Sequence, residues 1–129
     1  MTITQIVLYA SIILLVLLSS KRFLQRARMK EYSASEVAQR LQDTSVLLLD
    51  VRTRDERKSS AIQGSIHIPL GELKDKMKTL ERHREKEIIC YCHSGSRSSA
   101  AVLLLQKNGF HAVNMKGGIT GWKYFNLKS

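Results

Sequence analysis

The sequence predicts an open α/β fold, a parallel sheet with helices on both faces, preceded by one transmembrane helix. Three observations predict it. The short apolar runs Val46-Leu47-Leu48-Leu49 and Ile88-Ile89-Cys90-Tyr91 lack the alternation of a half-exposed strand, as expected where both faces of a strand are covered. Helix-like segments separate such runs, and strands alternating with helices at this spacing build parallel crossover units. Lastly, residues 2–20 contain no charged side chain at all.

That first segment is nearly all aliphatic from Ile6 to Leu18. Nineteen helical residues reach about 28 Å, close to the ~30 Å of a bilayer's hydrocarbon core. Lys21, Arg22, Arg26, Arg28 and Lys30 follow with no acid among them, so half of the formal net charge of +10 lies in ten residues. A cleaved secretory signal would carry its basic residues before the apolar stretch and small residues before the cut. Here the basic residues come after it, and Leu18 would stand three places before a cut at Ser20. A core helix is the other alternative, but a helix apolar all round is hard to cover with a hundred-residue domain. The expected organisation is therefore an anchor over residues 1–20, a basic juxtamembrane segment over 21–30 and a globular domain over 31–129. The positive-inside rule puts that domain in the cytoplasm. The basic run suits anionic lipid headgroups. With Phe23 as its one aromatic, it lacks the stacking residues of a nucleic-acid site, and no nucleic-acid partner is expected.

Within the domain, Ser33-Ala34-Ser35-Glu36 reads as a capping box stapled by Tyr32 and Val37. The helix it opens carries Val37, Ala38 and Leu41 on one face. The run from Val46 is the next strand, and a short helix over Arg54 to Ser59 follows with a weak signal. Leu70, Leu73, Met77 and Leu80, spaced three, four and three, predict one amphipathic helix with Lys74, Asp75, Lys76 and Lys78 outward. Residues 81–87 read as a charged, solvated stretch. A strand over 87–91 comes next, and a helix over 98–107 stopped by Asn108-Gly109 closes the pattern.

Between that last strand and helix stand Cys92-His93-Ser94-Gly95-Ser96-Arg97. A cysteine there lies under free backbone N–H groups and the positive end of a helix dipole. Those groups favour the thiolate and cradle an anion. Ser94, Gly95 and Ser96 are small enough for the loop to curl with its amides inward, and Arg97 adds a charge that does not titrate near neutral pH. Ligands of open α/β sheets bind at the carboxyl ends of the strands. Asp50-Val51-Arg52 ends one buried strand and Tyr91-Cys92 another, so both clusters fall on the same sheet edge.

The loop resembles the active-site loop of the rhodanese (sulfurtransferase) family, a cysteine followed by x-x-Gly-x-Arg. Leu49-Asp50-Val51-Arg52, Ile62-Gln63-Gly64-Ser65-Ile66-His67-Ile68-Pro69, Gly109-Phe110 and Gly117-Gly118-Ile119-Thr120-Gly121-Trp122 are similar to further family segments, in family order over about residues 32–125. Ser60-Ala61-Ile62 departs from the Gly-His-Ile of many members. The resemblance implies a rhodanese-like sheet of about five strands and a reaction without cofactor. In it Cys92 takes a sulfane sulfur from a small anionic donor such as thiosulfate and passes it to a thiol, cyanide or protein acceptor. It also implies that Asp50 supports the loop.

The candidate site is then Cys92 as the catalytic nucleophile, His93, Ser94, Gly95, Ser96, Arg97 and Ser98 around the substrate, and Asp50 and Arg52 as supports. Arg52 either reaches the cup or pairs on the surface with Asp55 or Glu56. Cys90 reads as an inert buried thiol. No metal is expected, because Cys90, Cys92 and His93 crowd into four residues with no second ligand cluster. Two other functions share these residues. A phosphatase or arsenate reductase of this fold uses a loop one residue longer, whereas four residues separate Cys92 from Arg97 here. A non-enzymatic docking or sulfur-relay module at the membrane is compatible with the anchor, and the intact cysteine weighs against a dead scaffold.

Overall fold

The computed structural model describes residues 1–129. Five strands, β1 (Glu31–Tyr32), β2 (Val46–Asp50), β3 (Ile66–His67), β4 (Glu87–Tyr91) and β5 (His111–Met115), form one sheet. All pairings are parallel, in the spatial order β1-β5-β4-β2-β3. The helices are α1 (Ile3–Ala27), α2 (Ala34–Arg40), α3 (Arg54–Ser59), α4 (Leu70–Leu73), α5 (Ser96–Lys107) and α6 (Gly118–Lys128). This is the expected open parallel sheet, and the expected apolar helix precedes it.

The uninterrupted apolar strands are explained by cover on both faces. On one face Leu47, Leu49, Ile88 and Cys90 pack with Leu73, Leu80, Ala101, Val102 and Leu105. On the other, Leu48, Ile89, Tyr91 and Val113 pack with Tyr32, Val37, Met115 and Ile119. Successive strand side chains point to opposite faces, so a strand buried twice has no polar position to alternate with. The capping box before α2 closes as predicted, with Ser33 N–H donating to Glu36 Oε2 at 2.7 Å and Glu36 N–H to Ser33 Oγ at 3.3 Å.

Three sequence expectations need correction. The single helix over residues 70–80 is two pieces, α4 and a 3-10 turn over Met77–His83. Leu73 and Leu80 still reach the core. Thr79 donates through both its N–H (3.0 Å) and its hydroxyl (2.6 Å) to Lys76 O, which tightens the chain to three residues per turn where one helix was expected. That turn also takes in the first residues of the stretch read as merely solvated. Second, α5 begins at Ser96 rather than Ser98, so Ser96, Arg97 and Ser98 form its first turn. Third, α1 runs on past the apolar stretch, carrying the basic residues up to Arg26 in the same helix.

Strand order positions the site. From β2 the chain moves outward to β3; from β4 it moves the other way, to β5. The crevice between the carboxyl ends of β2 and β4 is therefore the topological switch point, where open α/β sheets bind ligands. Asp50 pairs with Tyr91 across it.

Candidate active site

Cys92 follows β4 directly and is almost fully buried, while His93, Ser94 and Ser96 around it are exposed. The sulfur thus lies on the floor of a cup whose rim is open to water. Gly95 makes the curl: at φ +112° it adopts a backbone that other residues rarely take, and it serves as the amino-terminal cap of α5. Its N–H donates to Cys92 Sγ at 3.0 Å, and the Ser98 hydroxyl donates to the same sulfur at 3.3 Å. Burial pushes the Cys92 thiol up, but hydrogen bonds from the Ser98 hydroxyl and from the amides of Ser98, Gly95 and Ser94 outweigh it. The thiol therefore sits below its ordinary value.

Asp50 is wholly buried and serves as a hub. Its carboxylate accepts from Arg52 N–H (3.0 Å), Arg52 Nε (2.9 Å) and Nη2 (2.8 Å), the Tyr91 hydroxyl (2.9 Å) and Arg57 Nη1 (3.4 Å). Burial alone would raise its pKa, yet the Arg52 and Tyr91 bonds hold it below the ordinary carboxylate range. Through Tyr91, the residue before the cysteine, this hub ties the end of β2 to the root of the loop. Arg52 corrects both alternatives given for it. It neither reaches the cup nor pairs with Asp55 or Glu56; it is buried against Asp50 and donates to Ser60 O at 2.7 Å. Burial costs both charges their hydration, and the paired hydrogen bonds between Arg52 and Asp50 offset that cost.

Arg97 lies in the first turn of α5, where its bonds to Glu56 above all, and the Cys92 charge to a lesser degree, favour its protonated form, and both its terminal nitrogens are engaged. They donate to Glu56 Oε2 at 2.6 Å and Oε1 at 2.7 Å. Glu56 also accepts from Thr53 N–H and Oγ1, both at 3.0 Å, as the capping box of α3. The pairing with Glu56 uses two of the five N–H donors of the Arg97 guanidinium. Sequence reasoning missed Glu56, although the Thr53-x-x-Glu56 pattern that fixes it was visible. It also missed the Tyr91–Asp50 bond, which no local pattern signals.

Cys90 shares a buried cluster with Cys92 but is sealed from solvent, and burial pushes its thiol far above the ordinary value. Neither cysteine is in a disulfide. No three His, Cys, Asp or Glu side chains gather into a set that could hold a metal ion.

A recessed thiol that accepts from a backbone amide and a hydroxyl at the switch point of a parallel sheet defines a cysteine-centred site. Comparison with known proteins specifies it further. The family model for the rhodanese-like domain matches residues 33–124, and the chain belongs to that family. A sulfurtransferase of Allochromatium vinosum is 33% identical over 99 residues, spanning 75% of this chain and 91% of its own. The Bacillus subtilis protein YtwF is 34% identical over 95 residues, spanning 73% of this chain and 90% of its own. The crystal structure of a rhodanese-related protein from Thermoplasma volcanium superposes with a TM-score of 0.68 at 34% identity, covering 74% of this chain and 92% of the other.

Proposed function

We propose that this chain is a sulfurtransferase that carries sulfur as a persulfide on Cys92, held at a membrane face by α1. The observation that carries the reading is the pair of donors on Cys92 Sγ, Gly95 N–H and the Ser98 hydroxyl. Sulfurtransferases among its similar relatives support the general activity. In the first half-reaction the thiolate attacks the outer sulfur of a donor such as thiosulfate. A Cys92 Sγ–S bond forms, the donor's S–S bond breaks, and its electron pair leaves with sulfite. In the second, a thiolate, cyanide or protein thiol attacks the terminal sulfur, and Cys92 departs as thiolate. Before the donor binds and after sulfite leaves, the cup holds one negative charge, on Cys92 Sγ or on the outer sulfur of the persulfide, and the inward amides and Ser98 stabilise it on either sulfur. His93, Ser94 and Ser96 line the rim through which the donor enters.

Such a reaction has two separate steps, so double-reciprocal plots against donor and acceptor are expected to be parallel. Cys92→Ser is expected to lose all thiosulfate-dependent transfer. Retained transfer would assign the chemistry elsewhere. For the membrane, α1 is 25 residues long, is apolar enough to span, and has no buried residue. With its basic residues on the cytoplasmic side, protease added outside closed vesicles is expected to spare the domain. Digestion from outside would reverse the orientation.

A further inference from the structure

Behind the sulfur, two loop carbonyls turn away from the cup and onto the first turn of α6. Ile119 N–H donates to Cys92 O at 2.8 Å, and Thr120 donates to His93 O through its N–H at 3.2 Å and its Oγ1 at 3.0 Å. A peptide unit is planar and trans, so fixing a carbonyl in one direction sends the following N–H in the other. Holding the His93 carbonyl on α6 therefore turns the Ser94 N–H back toward Sγ. The approach is close only because residue 118 is glycine: at φ +57°, a Cβ there would lie 2.5 Å from Cys92 O and from His93 C and O. Gly117 has an equally left-handed φ of +78°, but a Cβ there would meet only Gly121, at 3.6 Å.

We propose that the first turn of α6 positions the Cys92 thiolate, with Gly118 and Thr120 as positioning residues that keep the loop carbonyls outward and the loop amides inward. This reading adopts the thiolate form of Cys92 from the function proposed above. The charged groups near the sulfur come from other elements: Arg97 of α5 with Glu56 of α3, and Asp50 with Arg52 at the end of β2. Cys90 of β4 is the other titratable thiol nearby. Residues 117–121 carry no titratable side chain, so the first turn of α6 acts through peptide orientation; the charged groups of α6 lie beyond it, with Lys123 donating to Ser60 Oγ at 3.0 Å.

The test compares Gly117→Ala, Gly118→Ala and Thr120→Val in the full chain in detergent micelles, reading the alkylation rate of Cys92 against pH together with the thermal midpoint. Gly117→Ala bears left-handed strain without touching the loop. It is expected to lower the thermal midpoint and leave the Cys92 titration within about 0.2 unit. Gly118→Ala bears the same strain and pushes on the loop. Its titration is expected to rise by about one unit, a roughly ten-fold loss of thiolate at low pH. Thr120→Val keeps both backbone amides and is expected to shift it by a few tenths, with Thr120→Ser restoring it. A folded Gly118→Ala protein that titrates like Gly117→Ala overturns the proposal. If Gly118→Ala does not fold, an unmoved titration in Thr120→Val overturns it instead. Titrations that shift as expected in a protein that transfers no sulfur would refute the function and leave the positioning role standing.

Discussion

Replacing Ser98 by alanine removes one donor from the sulfur and little else. Ser98 is fully buried, and its hydroxyl lies 3.3 Å from Cys92 Sγ and 3.1 Å from Gly95 O, so one proton serves two acceptors. Hydrogen bonds to charged groups contribute about 1.5–3 kcal/mol net. The shared proton and the sulfur acceptor put this one just under that range, at about 1.4 kcal/mol, which is about one pKa unit. Ser98→Ala is therefore expected to raise the Cys92 titration by about one unit. Below both midpoints the thiolate population falls about ten-fold. The more basic thiolate is about three-fold more nucleophilic, so the alkylation rate falls only three- to four-fold. Above both midpoints the variant reacts about three-fold faster than wild type. Iodoacetamide rates measured between about pH 5 and 10, with the modified peptide identified by mass, read both limbs. Linkage has the matching sign: because the folded thiol lies below its unfolded value, Cys92 adds stability as pH rises from its folded midpoint toward the ordinary range of about 8.5, and loses it as pH falls back. Ser98→Ala should flatten that slope. A rate reduced equally at all pH values, or an unmoved midpoint, would refute the reasoning.

Asp50→Asn strands the buried Arg52 guanidinium and is expected to cost about 3–5 kcal/mol, read as a large drop in thermal midpoint. Because Asp50 titrates below the ordinary carboxylate range, the wild-type domain should lose stability as pH falls below about 4, a slope that is shallower in the variant and kept in part by Glu56, whose pairing with Arg97 also holds it low. Glu56→Gln frees the charge of Arg97, and the rate at low thiosulfate should rise about two- to five-fold in low salt, with the gain fading as salt screens it; an unchanged or lower rate contradicts the pairing. Cys90→Ala should transfer sulfur within about two-fold of wild type and lose about 1 kcal/mol of stability to the small cavity; loss of transfer would bring Cys90 into the chemistry.

The sheet was legible because strands covered on both faces leave unbroken apolar runs, and the cup was legible because its parts are contiguous in sequence. What escaped was made by contacts between distant segments. Leu70, Leu73, Met77 and Leu80 have a spacing that one helix or two short turns satisfy equally, and the Thr79 bonds to Lys76 choose the turns. Arg52 reads from sequence as a cup or surface residue because sequence does not show that Asp50, two residues away, is buried with it. Arg97 carries a fixed charge in any reading, but its partner Glu56 arrives from 41 residues away. The hold of α6 on the loop joins residues 92–93 to 118–120, and it shows only in the folded chain, in the bonds from Ile119 and Thr120 and in the missing space for a Cβ at Gly118.

A sulfur carried on Cys92 is directly visible as mass. Incubating the reduced protein with thiosulfate and weighing it intact tests this most directly. One added mass of about 32 Da is expected, mapped to the peptide holding Cys92, matched by released sulfite and removed by cyanide. No adduct, an adduct on Cys90, or one that persists in Cys92→Ser would contradict it.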